Sequence, residues 1–257
     1  MNEKIEFPKL YTEFAKYYDR LESQYRNYQR ESEWLIGILE KHSCVDVIDV
    51  SCGTGSHLAL LQKEDFNLYG IDASNQMVQL AKKKLAYGKE TSLSLADFLH
   101  IPFRKEAFDA SLCMYWSLAG LNQNLVKYLF SEVASVLKSG GIFVFDTENS
   151  EGIKESLLDS PFLDAFFTDS DENVAIIRAN FSTKVDSDLV DWRAYYLLEQ
   201  GGVSELRTDR MNLRFYSKSQ LELLLRETGF RTLQVASGPE REYKQNSPSL
   251  YFIAEKI

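Results

Sequence analysis

Cysteine is scarce in this chain: of 257 residues, only Cys44, Cys52 and Cys113 are cysteine. They share no metal-ligand spacing and each sits in an apolar stretch. That excludes a disulfide scaffold and a zinc motif, and reads as free, buried thiols in a reducing compartment. Histidine is equally rare. His42, His57 and His100 stand singly, so no His/Cys cluster offers a metal site, and His57 reads as structural. No run approaches the ~18 apolar residues that a membrane span needs. Met1 to Leu10 carries Glu3, Lys4, Glu6 and Lys9 without an apolar core, so no secretory leader is expected. Repeats and low-complexity tracts are absent. Basic residues are outnumbered, 29 against 38 acids, for a net charge of −9. Such a surface repels phosphate backbones and speaks against a broad nucleic-acid footprint, although a local basic patch stays open. These absences leave a soluble protein, expected in the cytoplasm.

The composition that is present, 44% hydrophobic and 26% charged, supports a sizeable core. At about 100–200 residues per domain, one or two domains are expected. Residues 11–40 read as helical, with Phe14, Tyr17, Tyr18 and Leu21 on one face and Trp34, Leu35, Ile38 and Leu39 on another. Val45–Val50 is a short β-branched strand that runs into Ser51-Cys52-Gly53-Thr54-Gly55 and a helix. Strands follow at 68–71, 92–96, 108–114 and 142–145, with helices between them; Gly140-Gly141 is read as the glycine end of the helix over 125–137. This alternation predicts a parallel sheet covered on both faces.

The order breaks at about residue 173. Segments at 173–183, 189–199 and 204–215, separated by turn residues, predict antiparallel hairpins. A helix at 218–227 and strands at 232–236 and 250–255 resume the α/β pattern. The expected organisation is an N-terminal helical cap over 1–40, a cofactor-binding domain over 41–150 and 216–257, and an antiparallel insertion over 151–215.

In open α/β sheets ligands bind beyond the carboxyl ends of the strands. Acids fall at those ends here: Asp49, Asp72, Asp97 and Asp146. Gly53 and Gly55 let backbone approach a ligand, and Asp72, 17 residues past Gly55, sits where a carboxylate grips a ribose diol. A dinucleotide fingerprint needs a third glycine, and that position holds Leu58. An acid at the head of the loop, Asp49, suits a ligand with a cationic amine better than a pyrophosphate.

Asp49-Val50-Ser51-Cys52-Gly53-Thr54-Gly55 resembles motif I of class I S-adenosylmethionine-dependent methyltransferases. Ile71-Asp72-Ala73-Ser74 with Met77 resembles the second motif, Ala96-Asp97-Phe98 the adenine-binding turn, Phe108-Asp109-Ala110 the fourth-strand motif, and Leu137-Lys138-Ser139-Gly140-Gly141 the turn before the fifth strand. Ser51 departs from the glycine that many members carry. The resemblance covers residues 30–150 in detail. It implies a Rossmann-like, doubly wound, mostly parallel seven-stranded sheet with the antiparallel insertion, and S-adenosyl-L-methionine as cofactor. The Gly53–Gly55 backbone would hold the methionine end, with Ser51 beside it and Asp49 near the ammonium. Asp72 would take the ribose hydroxyls, with Ala73 alongside. Met77 would pack near the adenine, Asp97 would accept from its amine, and Phe98 would lie beside it.

Phe14-Ala15-Lys16-Tyr17-Tyr18-Asp19 resembles the N-terminal motif of small-molecule methyltransferases, in which a tyrosine lines the transfer pocket; an aromatic face suits a sulfonium. Arg26 and Tyr28 fall where related enzymes contact the cofactor carboxylate. Tyr17 and Met114 complete the expected cofactor set. Trp34–Leu39 running into motif I is similar to glycine N-methyltransferase and its relatives, and the N-terminal segment is similar to amino-sugar N-methyltransferases.

The resemblance implies methyl transfer to nitrogen or oxygen of a small molecule by direct displacement, without a metal. Tyr18, Tyr115 and Asp146 are the candidate catalytic groups, with Trp116, Glu148 and Asn149 on the same rim. Trp192, Arg193 and Tyr195 of the insertion are candidates for substrate contact, for a half-buried strand or for a dimer surface, so a homodimer stays open. The pocket should be roofed by the N-terminal segment and the insertion, with Tyr18 and an insertion residue facing the methyl. An RNA methyltransferase acting on a tRNA base, and a non-catalytic cofactor-binding Rossmann protein, remain as alternatives.

Overall fold

The computed structural model describes residues 8–23, 25–152, 162–170 and 172–257. Most of the stretch behind the no-leader expectation, residues 1–7, lies outside them. The N-terminal segment is less continuous than its periodicity predicts. Short 3-10 turns at Lys9–Tyr11 and Ala15–Tyr17 lead into α1 (Tyr18–Glu22). A separate helix α2 (Tyr28–Lys41) begins where the Asn27 side chain accepts the Arg30 N–H at 3.0 Å.

The alternating region gives β1 (Asp46–Val50), α3 (Ser56–Leu61), β2 (Asn67–Asp72), α4 (Asn75–Leu85), β3 (Thr91–Leu95), β4 (Phe108–Cys113), α5 (Gln123–Val136) and β5 (Leu137–Glu148). After the insertion come α6 (Lys218–Glu227), β10 (Phe230–Ala236) and β11 (Ser249–Lys256). The strands form one seven-stranded sheet in the order β10-β11-β5-β4-β1-β2-β3. β1 pairs in parallel with β2 and β4, β2 with β3 and β4 with β5, while β11 is antiparallel to both its neighbours. The α5 helix stops at Val136, and Gly140-Gly141 lie inside β5 rather than capping the helix. The reason is that Leu137 already pairs with Phe108, across an irregularity that the two glycines accommodate.

Alternation along the strands builds two cores, one per face. Ile48, Val50, Phe143 and Phe145 pack beneath Leu129 and Phe130 of α5 and Leu221 and Leu224 of α6. Val47, Leu112 and Val144 pack beneath Leu35 of α2, Leu58 of α3 and Ala81 of α4.

The insertion is a separate antiparallel sheet of four strands, one more than the periodicity predicts: β6 (Phe162–Asp169), β7 (Val174–Lys184), β8 (Leu189–Gln200) and β9 (Val203–Arg214), in that order. A register shift between Leu163 and Ala165 breaks the period-2 pattern of β6, which hides it in the sequence. The inner face of this sheet buries Ile176, Ala194 and Tyr196 against Phe14, Tyr17 and Leu21; the Phe14 and Tyr196 rings stack at 4.3 Å. Among the described residues, no helix is long and apolar enough to cross a membrane.

Candidate active site

β1 delivers the chain into a tight loop whose first residue carries strain. Ser51 has φ 105°, a conformation suited to glycine, and its N–H and that of Cys52 both donate to the Ile71 carbonyl at 2.9 Å. The loop therefore retains serine where glycine would be unstrained. The two glycines that follow differ in purpose. A Cβ on Gly53 would meet nothing within 4 Å, so its open side faces the cleft, whereas a Cβ on Gly55 would press on Ala81 and Leu85 at 3.2 Å. Gly55 thus permits α3 and α4 to pack closely, and only Gly53 offers bare backbone to a ligand.

The cleft over this loop has a cavity volume of about 250 Å³ and is open at its mouth. The strand ends supply Asp49, Ser51, Gly53, Asp72, Ala73, Asp97, Phe98, Met114 and Tyr115; α4 supplies Met77; the N-terminal segment supplies Tyr18 and Tyr28. Tyr17, Arg26, Gly55 and Asp146 do not line it. Tyr17 turns towards the insertion, its hydroxyl donating to Glu172 at 3.3 Å.

Two carboxylates define the electrostatics. Asp49 is buried, and its Oδ1 has no hydrogen-bond partner. Burial pushes its carboxyl up to about 7, with His57 opposing and the nearby Asp72 charge reinforcing the shift. An orphaned carboxylate oxygen on a cleft wall is complementary to a ligand ammonium. Asp72 Oδ2 accepts the Gly53 N–H at 2.9 Å and Oδ1 the Ser74 N–H at 2.8 Å. Burial raises its pKa despite these bonds, and its remaining lone pairs are free for ligand hydroxyls. Asp97 Oδ1 accepts the Leu99 N–H at 2.8 Å, which fixes the turn that presents Phe98. Asp109 of the fourth-strand motif lies away from the cleft, where it accepts the N–H groups of Val45 and Asp46 and pairs with Lys138 at 2.7 Å.

Arg26 and Asp146 form a buried layer behind the cleft. Arg26 pairs with Asp146 at 2.8 Å and Glu31 at 3.0 Å, and its guanidinium lies 4.5 Å from the Tyr115 ring centroid. Asp146 Oδ1 accepts the Tyr115 N–H. Tyr115 and Trp116 both have positive φ, 65° and 58°, so this carboxylate braces a strained corner. The Tyr115 hydroxyl donates to Glu22, whose other oxygen takes Arg178. Glu31 also accepts from His57 at 2.9 Å and from Tyr251 at 3.1 Å. His57, buried and held by Glu31, also lines the cleft.

The roof is stapled down. Thr54 Oγ1 donates to Asp19 at 2.6 Å, Lys84 pairs with Asp19 at 2.7 Å, Ser74 Oγ donates to the Tyr11 carbonyl at 2.6 Å, and the Leu10 N–H donates to Asp209 of β9 at 3.2 Å. Tyr11 and Met211, neither anticipated, complete the wall. Tyr11 extends the spacing of Phe14 and Tyr18 by one step, and Met211 is an apolar residue following Arg207 and Asp209 on alternate positions of β9. Those were the available signals. Of the insertion residues anticipated at the site, Trp192 packs in the core beneath the N-terminal segment, while Arg193 and Tyr195 lie on the opposite face of the sheet.

The donor set fits S-adenosylmethionine: an orphan acid for the ammonium, an acid with free lone pairs at the second strand for the diol, bare backbone at Gly53, and aromatic walls. Residues 47–141 match the family described as a methyltransferase domain. The putative methyltransferase YqeM of Bacillus subtilis is 27% identical over 249 residues, spanning 96% of this chain and 97% of that protein. Mouse (Mus musculus) glycine N-methyltransferase is 32% identical over 134 residues, covering 47% of this chain and 46% of the enzyme. The solved structure of an S-adenosylmethionine-dependent methyltransferase from Clostridium acetobutylicum superposes with a TM-score of 0.81 at 23% identity, covering 96% of this chain and 98% of that one. Residues 47–141 thus match a methyltransferase domain, and over nearly its whole length the chain is similar in sequence to a putative methyltransferase and in fold to an S-adenosylmethionine-dependent one.

Proposed function

We propose that the acceptor is a small molecule, methylated on nitrogen or oxygen by direct displacement. The observation that carries this reading is the roof: Pro8, Tyr11 and Tyr18 on one side and Met211 of β9 on another close over the strand ends. A polynucleotide would need an open, basic groove, and the net charge is −9. The likeness to glycine N-methyltransferase supports an amine acceptor.

When bound, S-adenosylmethionine supplies a methyl group already activated on a sulfonium. The chain's own work is then alignment and exclusion of water. Asp49 and Gly53 hold the amino-acid end, Asp72 the ribose, and Asp97, Phe98 and Met77 the adenine. Burial holds the Tyr18 hydroxyl well above its ordinary pKa, and burial together with the Glu22 charge does the same for Tyr115. Both therefore stay phenols that orient the acceptor rather than take its proton. Asp146, ion-paired behind Tyr115, is a positioning residue. Glu148, two residues further along β5, has a buried oxygen without a partner and a carboxyl pushed by burial up to about 8. It does not line the cleft, and a carboxyl of that pKa is mostly protonated at pH 7, so it is not a base for the acceptor's proton. The N-terminal segment and the insertion act as the two caps of the site, and free thiols at Cys44, Cys52 and Cys113 fit a cytoplasmic setting.

The test is an acceptor screen with methyl-labelled cofactor. Label should enter low-mass amines or alcohols; label entering only RNA or protein would overturn the proposal.

A further inference from the structure

The sheet order divides the cleft. β1, β2 and β3 stand side by side, and the cofactor contacts assigned above, Asp49, Asp72 and Asp97, lie at or beside their carboxyl ends. β4 lies on the other side of β1. The chain that leaves it, from Tyr115 to Leu121, therefore walls the part of the cleft left to the acceptor. Trp116, Ala119, Gly120 and Leu121 line that part, with Pro8 and Met211 closing over it. This loop is held against the end of the insertion. The Arg214 N–H donates to the Ala119 carbonyl at 2.6 Å, the Tyr216 hydroxyl donates to the Leu121 carbonyl at 2.6 Å, and a Cβ on Gly120 would meet Met211 Sδ at 3.7 Å.

This wall carries no charge. Among the described residues that line the cleft, the carboxylates are Asp49, Asp72 and Asp97 alone, and none is a lysine or an arginine. The ions behind the wall are engaged with one another: Glu22 with Arg178, and Arg26 with Asp146 and Glu31. His57 is held by Glu31 at 2.9 Å. What the wall offers is neutral donors. Burial keeps the Tyr11 and Tyr18 hydroxyls protonated. Trp116 Nε1 is buried without a hydrogen-bond partner. A buried N–H of this kind costs free energy until a ligand atom accepts from it.

We propose that the acceptor is an uncharged aromatic amine bearing an oxygen atom that accepts the Trp116 Nε1 hydrogen. This rests on the small-molecule reading of the same cleft. Charge decides first. Beside a sulfonium, an ammonium acceptor meets like charge with no carboxylate on its wall to offset it, and an acceptor carrying a carboxylate finds no lysine or arginine lining the cleft to pair with it. Proton balance decides second. The C–S bond breaks as the N–C bond forms, sulfur keeps the bonding pair, and the positive charge passes to the acceptor nitrogen. No group on the wall takes a proton, so the nitrogen must arrive with its lone pair free. An alkylamine with a lysine-like pKa of ~10.4 is neutral to only roughly one part in 2,500 at pH 7. An arylamine is neutral there, and its methylated cation gives the extra proton to water on release. Shape agrees with charge: the rings of Tyr11 and Trp116 and the Met211 thioether suit a flat aromatic partner.

A matched panel on the full chain tests this. Methyl-labelled cofactor is offered with p-methoxyaniline, its oxygen-free analogue p-ethylaniline, the cationic p-methoxybenzylamine, and glycine. Transfer to p-methoxyaniline should exceed transfer to p-methoxybenzylamine and to glycine at least 100-fold in kcat/KM, with p-ethylaniline about tenfold behind it. Trp116→Phe should erase that tenfold margin by raising KM for the methoxy compound. Calorimetry on the protein loaded with S-adenosylhomocysteine reads the same ranking without turnover, so the wild type decides the charge preference without any variant. A preference for glycine or for the benzylamine, or no binding of either arylamine, would overturn the inference and leave the small-molecule reading standing. Label entering only RNA or protein would overturn both. A methoxy margin that survives in folded Trp116→Phe would overturn the contact assigned to Trp116.

Discussion

Arg178 of β7 and Glu22 of α1 form a buried ion pair, Nη1 to Oε1 2.6 Å, that ties the insertion to the N-terminal segment. The second Glu22 oxygen takes the Tyr115 hydroxyl, so this pair also sets the wall of the cleft. Removing one partner of a buried pair strands the other charge. Arg178→Met should cost about 3 kcal/mol in denaturant unfolding. Adding Glu22→Gln, which keeps an acceptor and discards the charge, should return at least half of that loss. An additive double variant would mean that the two side chains are not coupled.

Asp49 should make cofactor binding release protons. With its carboxyl at about 7 in the free protein, it is about half protonated at pH 7. A ligand ammonium beside it favours the charged form. Calorimetric enthalpy should therefore differ between phosphate and Tris by the ionisation heat of about half a proton, and Asp49→Asn should remove the difference. Identical enthalpies in the two buffers for the wild type would place the ammonium elsewhere.

The same carboxyl shapes the stability of the free protein. A folded-state value raised above the unfolded one is a penalty that grows as pH climbs from about 4 through 7, because the folded state binds the extra proton. Thermal melting should fall across that window, and Asp49→Asn should flatten the fall. The burial-raised Glu148, at about 8, should leave a residual slope at higher pH. A melting temperature that rises over the window would contradict the assignment.

Ser51→Gly should stabilise the fold. The serine sits at φ 105°, and relief of that strain exceeds the extra entropy glycine loses on folding. The expected gain is about 1 kcal/mol in unfolding free energy, with cofactor affinity unchanged. A destabilised variant would show that the serine contributes something besides backbone.

The sequence carries the parallel sheet plainly, because short strand-like runs with Asp49, Asp72 and Asp97 at or beside their carboxyl ends alternate with helices of clear periodicity. The cleft wall is legible for the same reason: motif residues sit at strand ends. Several things are not legible. β6 is concealed by its register shift. Arg26 and Asp146 read as site residues because spacing cannot show that the segment leading into α2 lies against β5 and buries both as a mutual pair. Gly55 and Gly53 look alike in the motif, and only the approach of Ala81 and Leu85 separates a packing glycine from a ligand-facing one. Tyr11 and Met211 reach the site through long-range packing of the roof, which no local pattern encodes.

The most direct test of the site is a calorimetric titration of the free protein with S-adenosylhomocysteine and with NAD, repeated on Asp72→Asn. The cleft predicts S-adenosylhomocysteine binding at least 100-fold tighter than NAD. It also predicts a loss of about tenfold or more on substitution of Asp72, whose charge-assisted bonds to the ribose are each worth roughly 1.5–3 kcal/mol. NAD binding as tightly as S-adenosylhomocysteine, or an unchanged dissociation constant in Asp72→Asn, would contradict the placement of the cofactor on these strand ends.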